Sequence, residues 1–345
     1  MSFVPQYLVE KRFNKELKRR RKVRLRKIKG LQFNYLSRRT NIIIRDKIQA
    51  PKIFNYLKNP LDCNFFYNQL RNRDLCNFNR GKAYFKICLR KIEDIDFAAL
   101  SILKSIMEEA ALSGIMFTGS LPVDRVTRRK LIDLGFLKNL DFDGSDDLNI
   151  QTSGNHFSYE KKSGIMTVKD YENFDHISEK AYNAITGNNG YFDELITVLK
   201  EIGTNAVEWS NSKGKQWMIG FFEKDNKVTI NIIDLGFGIL DSLYIEKKLQ
   251  FIDFFMFRGP DKILERAFIQ KYGSLSQEIN RNKGLPFIKA TFDEKKIKNL
   301  VVSTNNIFYN FEKTSLNKIS RKLNTNFSGT FYQMEIDKSC IENYG

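Results

Sequence analysis

Glu194-Leu195-Ile196-Thr197-Val198-Leu199-Lys200-Glu201-Ile202-Gly203-Thr204-Asn205-Ala206-Val207-Glu208-Trp209 is the stretch on which the reading of this chain turns. Apolar residues at 195, 196, 199, 202 and 206 predict an amphipathic helix from about Tyr191 to Trp209. Glu201 and Asn205, four residues apart, share one face of it, and Glu208 follows nearly a turn later. Gln216–Glu223 and Lys227–Ile233 then read as two strands joined at Asp225-Asn226, a hairpin. The second strand delivers Asp234 into Asp234-Leu235-Gly236-Phe237-Gly238-Ile239. An acid at a strand end followed by two glycines is a fixed acceptor beside backbone that a ligand can approach closely. Taken singly, these features are a charged face on a packed helix and a glycine turn; together they suggest a nucleotide site.

Downstream, residues 241–281 are rich in aromatic and charged side chains and lead into Arg281-Asn282-Lys283-Gly284-Leu285-Pro286-Phe287-Ile288-Lys289. A glycine that opens a helix leaves backbone N–H groups for phosphate, and Lys283 adds a positive charge. A second hairpin is expected from Leu300–Thr304 and Ile307–Phe311, turned at Asn305-Asn306. A closing strand, Ser328-Gly329-Thr330-Phe331-Tyr332-Gln333-Met334-Glu335-Ile336, ends the pattern.

This order resembles the GHKL family of ATP-binding domains (gyrase, heat-shock chaperone, histidine kinase and mismatch-repair type) over residues 165–337. Glu201-x-x-x-Asn205-Ala206 is similar to its N box, and Asp234-x-Gly236-x-Gly238-Ile239 to its first glycine box. Lys283-Gly284-Leu285 resembles the second glycine box and Gly329-Thr330 the last. The resemblance implies an α+β two-layer sandwich that binds ATP and Mg2+. It implies that Asn205 holds Mg2+, and that Asp234, assisted by Thr330, accepts from the adenine amino group. Gly236 and Gly238 would let the backbone meet the base. Lys283 and the Gly284 backbone would contact phosphates in a lid spanning about 241–283, and Glu201 would polarise the attacking water or hydroxyl. Pro286 departs from the pattern: it stands where a second glycine is usual and removes one donor N–H.

Upstream of the site, Ala83–Leu89 alternates like a strand. Asp96 is placed to cap a helix whose stripe is 99, 100, 103, 106, 107 and 110, ended at Gly114. Ile115–Thr118 reads as a strand, and Pro122-Val123-Asp124 opens a helix through Leu134, ended by Gly135. This β-α-β-α order over roughly 80–140 resembles a STAS-type domain, the small α/β module of anti-sigma antagonists. That family carries a phosphorylatable Ser or Thr where the helix starts. Here the start reads Asp96-Phe97-Ala98-Ala99-Leu100-Ser101, so the first hydroxyl lies inside the helix. The aromatics from Phe54 to Tyr67 read as core, and Pro51 and Asn59-Pro60 as breaks.

The expected organisation is a basic arm (1–30), a small STAS-like α/β domain (31–145), a linker (146–164), the ATP-binding domain (165–337) and a tail (338–345). Between Lys11 and Lys29 stand twelve Lys or Arg against the single acid Glu16, most of the net charge of +17. Such an arm suits nucleic acid or another polyanion through residues 11–29. Four cysteines without a Cys-x-x-Cys pair, and two histidines, argue against a zinc site and for free thiols in the cytoplasm. His176 lacks the flanking Glu and Pro of a phospho-acceptor box and reads as a polar-face residue. No stretch of about 18 apolar residues is present to span a membrane. The expected function is Mg2+-dependent ATP hydrolysis coupled to lid closure, with a protein partner docking on the STAS-like part. The alternatives are an anti-sigma-type serine kinase and a non-catalytic nucleotide sensor that binds nucleic acid through its arm.

Overall fold

The computed structural model describes residues 47–79, 82–134, 136, 157–162, 166–209, 217–245, 259–269, 284–312 and 320–342. The basic arm, Lys283 and Gly135 lie outside the described residues. Ile48–Gly345 is one compact unit.

The first half contains β1 (Ile48–Gln49), β2 (Ile53–Phe54), α1 (Pro60–Leu70), β3 (Asn77–Asn79), β4 (Lys82–Cys88), β5 (Asp94–Ile95), α2 (Phe97–Ala111), β6 (Ile115–Ser120) and α3 (Arg125–Asp133). Strand β4 is the spine of a small sheet. β6 runs parallel along one edge, from Ala83 opposite Ile115 to Cys88 opposite Ser120. The other edge is shared end to end: β3 pairs antiparallel at Tyr84 and β1 parallel at Ile87. β2 and β5 form a separate parallel pair. Pro60, expected as a break, is the first residue of α1; its missing N–H costs nothing there. Asp96 caps α2 by accepting from the Ala99 N–H at 2.7 Å, and it also accepts from the Tyr56 and Leu57 N–H groups. Burial pushes its carboxyl up, opposed by these three bonds.

The second half contains β7 (Phe157–Lys162), α4 (Val168–Thr186), α5 (Asp193–Trp209), β8 (Trp217–Lys224), β9 (Lys227–Asp234), α6 (Ile239–Ile245), α7 (Pro260–Phe268), α8 (Gly284–Asp293), β10 (Lys298–Asn310), β11 (Ser320–Ile336) and α9 (Lys338–Glu342). The large sheet has the order β10-β11-β9-β8-β7, with antiparallel pairing throughout. Its β7 edge falls in the stretch expected to be a linker, and α9, which buries Cys340, in the expected tail. The β8–β9 turn is the expected hairpin: Asp225 and Asn226 have φ of 53° and 54°, the left-handed pair that two-residue hairpins need. The chain also reverses inside β10. Asn305 has φ of 53°, and the Phe311 N–H donates to the Leu300 carbonyl at 3.0 Å, which an extended segment of that length cannot do.

Side chains alternate across this sheet, and both faces are buried. Val228, Ile230 and Ile232 of β9 join Trp217, Ile219 and Phe221 of β8 in a core with Phe174 of α4 and Leu195, Leu199 and Ile202 of α5. Ile233, Leu235, Met218, Val301, Phe308 and Phe331 face the other way, into a core with Tyr56, Phe66, Tyr67, Leu100 and Leu103. A two-layer sandwich leaves that second face to solvent; here α1 and α2 cover it. The consequence is legible in α2, where every residue from Phe97 to Ile106 is buried because the helix is wedged between two sheets. Burying each such Leu or Ile is worth about 1.5–3 kcal/mol, so the two halves stabilise each other. Two buried polar bonds cross the seam. The Tyr56 hydroxyl lies 2.7 Å from Ser303 Oγ, and Asn231 Nδ2 donates to Ser101 Oγ at 3.0 Å. Among the described residues no helix is long and apolar enough to cross a membrane.

Candidate functional site

Helix α5 is drawn onto the sheet through Gly203. A Cβ there would stand 2.9 Å from the Trp217 ring and 3.1 Å from Phe174, so only glycine lets the helix lie this close. Trp217 in turn sits opposite Asp234 in the β8–β9 register. Glu201 and Asn205 are on the far side of α5 from Gly203, towards α8. Gly284, the first residue of α8, is buried against them. A Cβ at 284 would come 2.5 Å from Glu201 Oε2 and 3.4 Å from Asn205 Nδ2. Three expected site residues, separated by some eighty positions in sequence, are thus neighbours at a helix N-terminus. That end carries backbone N–H groups and a partial positive charge.

Asp234 anchors a second group. It is buried at the end of β9 and lies directly opposite Thr330 of β11. Its Oδ1 accepts from the Gly236 N–H at 2.9 Å. Burial pushes its carboxyl up to about 6, while hydrogen bonds from Gly236 and Thr330 and the charge of Arg71 hold it down. At neutral pH it is therefore mostly an ionised acceptor. Gly329, beside Thr330, has φ of 120° and no room for a Cβ against the Asp234 carbonyl.

Gly238 has φ of 82°, and the space it makes is filled by protein. A Cβ there would stand 2.7 Å from each of Asn305 Oδ1, Thr304 Oγ1 and the Gly329 carbonyl. The β10 hairpin reaches over to cap α6: the Ile239 N–H donates to Thr304 Oγ1 at 2.8 Å and the Leu240 N–H to Asn305 Oδ1 at 3.0 Å. Asn305 Nδ2 returns a bond to the Phe237 carbonyl at 3.0 Å. The first amides of α6 are thus spent on caps from the β10 hairpin. The sequence marks Asn305 as a hairpin tip, in keeping with its φ of 53°, but not the caps that it and Thr304 supply to α6.

Arg71, at the C-terminal end of α1, is also unexpected. Its Nε and Nη2 donate to the Glu109 carboxylate of α2 at 2.9 and 3.1 Å. Nη1 donates to the Ser328 carbonyl at 2.9 Å and Nη2 also to the Leu235 carbonyl at 3.1 Å. One guanidinium therefore ties α1 and α2 to the glycine turn and to the strand carrying Gly329 and Thr330. A cavity of about 460 Å3 opens beside it, lined by Arg71, Arg73, Glu109, Gly236, Phe237 and Asp241 among others.

The remaining expected positions fall as follows. Leu285 packs against the core on the α4–α5 side of the sheet. Within the expected lid, α7 buries Ile263, Leu264, Ala267 and Phe268, and the Phe268 ring packs edge-on against Phe311 at 5.0 Å. Ser101 is wholly buried, with its hydroxyl donating to the Phe97 carbonyl at 2.8 Å. His176 is on the exposed face of α4, 3.6 Å from Glu179. No known protein-family model matches the chain, and no curated protein matches it in sequence.

Proposed function

We propose that residues 165–337 form a GHKL-type ATP-binding site that hydrolyses ATP with Mg2+, coupled to movement of a lid. The observation that carries this reading is the meeting of Gly284 with Glu201 and Asn205, because it joins a helix N-terminus to a carboxylate and a carboxamide. The donor set fits the ligand. Hard oxygens from a carboxylate and an amide suit Mg2+, and α8's first turn suits phosphate. The ionised, buried Asp234 suits an amino group of a base, with Thr330 beside it.

In this reading Asn205 holds the metal, which supplies charge neutralisation of the phosphates when bound. Glu201 orients water and takes its proton. Asp234 and Thr330 read the base, and Gly284 gives the phosphates access to α8's backbone. Coverage of the sheet's second face by α1 and α2, which reach the turn after Asp234 through Arg71, supports a regulatory ATPase.

The test is MgATP titration of the wild type, Asn205→Ala and Asp234→Ala, with circular dichroism to confirm folding. Binding in the wild type and its collapse in both variants supports the reading; equal affinity in all three rejects it. Product analysis with Glu201→Ala then separates chemistry from binding: nucleotide still binds and phosphate release stops. Label appearing on a partner protein in place of free phosphate would assign the same carboxylate to a serine kinase.

A further inference from the structure

We infer that Arg71 is a positioning residue for the nucleotide site, through which the first half of the chain sets the shape of the Asp234–Gly238 turn. This inference rests on the ATP-binding reading for its functional consequence, but its geometric part stands without it.

The argument begins with donors. A guanidinium offers five N–H groups in a fixed fork, and four directed bonds are used here on three partners. Glu109 fixes the plane of the fork by a bidentate grip, and both side chains are largely withdrawn from water, 22% and 20% exposed. The other two bonds go to main-chain carbonyls. Leu235 follows Asp234 directly, and Ser328 precedes Gly329-Thr330. Arg71 thus bridges the end of β9 and the middle of β11, which hold the acceptor and its hydroxyl partner. Gly329 has no Cβ to stiffen its strand, and Gly236 and Gly238 leave the turn conformationally permissive. Thr304 and Asn305 hold the α6 end of the turn, and Arg71 holds its β9 end at Leu235. The charge of Arg71 also favours the ionised form of Asp234. Because α1 and α2 supply the brace, any ligand or partner that shifts them shifts the turn, which is coupling between two regions in the thermodynamic sense.

The test uses the full chain with Arg71→Met, Arg71→Lys and, as a control, Ser101→Ala. The control removes the Asn231 bond at the same seam but touches neither Leu235 nor Ser328. Two readouts are taken: amide exchange of the 235–240 segment, and MgATP affinity. Arg71→Met should speed exchange of that segment and weaken MgATP binding by about tenfold. Arg71→Lys, which keeps the charge but loses the fork, should fall between it and wild type, and it reads both effects if Arg71→Met does not fold. Ser101→Ala should lower the melting temperature and leave both readouts at wild-type values. Wild-type exchange in the Arg71 variants, or equal acceleration in Ser101→Ala, overturns the inference. A wild-type chain that binds no MgATP overturns the ATP reading instead, and the exchange comparison still decides the role of Arg71.

Discussion

Gly284 lies so close to Glu201 that a single added methyl group at 284 would stand 2.5 Å from the carboxylate oxygen Oε2. The obstacle is the end of a flexible side chain, so Gly284→Ala can be accommodated by swinging Glu201 aside. Alanine in the first turn of α8 also regains up to about 1 kcal/mol of helix propensity. Stability should therefore change by less than about 1 kcal/mol, while ATP hydrolysis falls by about a hundredfold because Glu201 is displaced. Thermal unfolding and phosphate release on one preparation check this. A variant that unfolds early, or one that hydrolyses at the wild-type rate, contradicts it.

Asp234 makes a pH prediction whose sign is opposite to that of a salt-bridged carboxylate. Its carboxyl is pushed up from 3.8 to about 6, so the folded chain binds this proton more tightly than the unfolded chain does. The stabilisation is complete below the unfolded value and is lost as pH rises through about 6. Its size is at most about 3 kcal/mol. Asp234→Asn carries no titrating group there, so its stability relative to wild type should increase between about pH 4 and pH 7. Denaturant unfolding of both chains across that range checks the slope, and the variant should also lose MgATP affinity. A difference in stability that stays flat with pH removes Asp234 as its source.

How much of this was legible in the sequence depends on where each side chain's partner lies. Asp96 announces α2 because its partner, the Ala99 N–H, is three residues away. Asp225-Asn226 announces the β8–β9 hairpin for the same local reason. Helix α1 escapes because its polar positions are not a solvent face. Asn64 Oδ1 accepts from the buried Tyr56 hydroxyl, and Asn68 Nδ2 donates to the Asn326 carbonyl, so no helical stripe survives. The second covered face of the large sheet escapes because alternation along β9 assigns residues to two sides without saying what meets each. Arg71 is least legible of all, since two of its partners are carbonyls, and a carbonyl has no sequence signature. Glu201, Asn205 and Gly284 were legible as types, but their meeting required the fold.

Ser101 is the only hydroxyl in the start of α2 where a phospho-switch would be sought, and its surroundings forbid one. It is fully buried, donates to the Phe97 carbonyl and accepts from Asn231. A charge placed there would have no solvent, and Lys104, a turn further along, is already paired with Glu108 at 2.9 Å, so the cost is several kcal/mol. Ser101→Asp should fail to fold or melt far below wild type, whereas Ser101→Ala should cost only about 1–2 kcal/mol for the stranded Asn231 donor. Native chain treated with kinases should take no phosphate at this position by peptide mass mapping. A folded, active Ser101→Asp variant would refute the buried assignment.

Asn305 carries two demands that separate cleanly in mutants. Its side chain is fully buried and makes three bonds, accepting from the Leu240 N–H and the Thr304 hydroxyl and donating to the Phe237 carbonyl. Its backbone sits at φ of 53°, where a Cβ costs about 1 kcal/mol and asparagine is among the residues that tolerate it. Asn305→Ala loses all three bonds, strands a buried donor and a buried acceptor at Leu240 and Phe237, and keeps the Cβ; the expected loss is about 2–4 kcal/mol. Asn305→Gly loses the same bonds but relieves the backbone, so it should be less destabilised than alanine by about 1 kcal/mol. Urea unfolding at constant m-value measures both. Equal losses in Ala and Gly would remove the backbone component, and losses below about 1 kcal/mol in both would remove the cap. Because Leu240 and Phe237 flank the turn after Asp234, both variants should also weaken MgATP binding, alanine more than glycine.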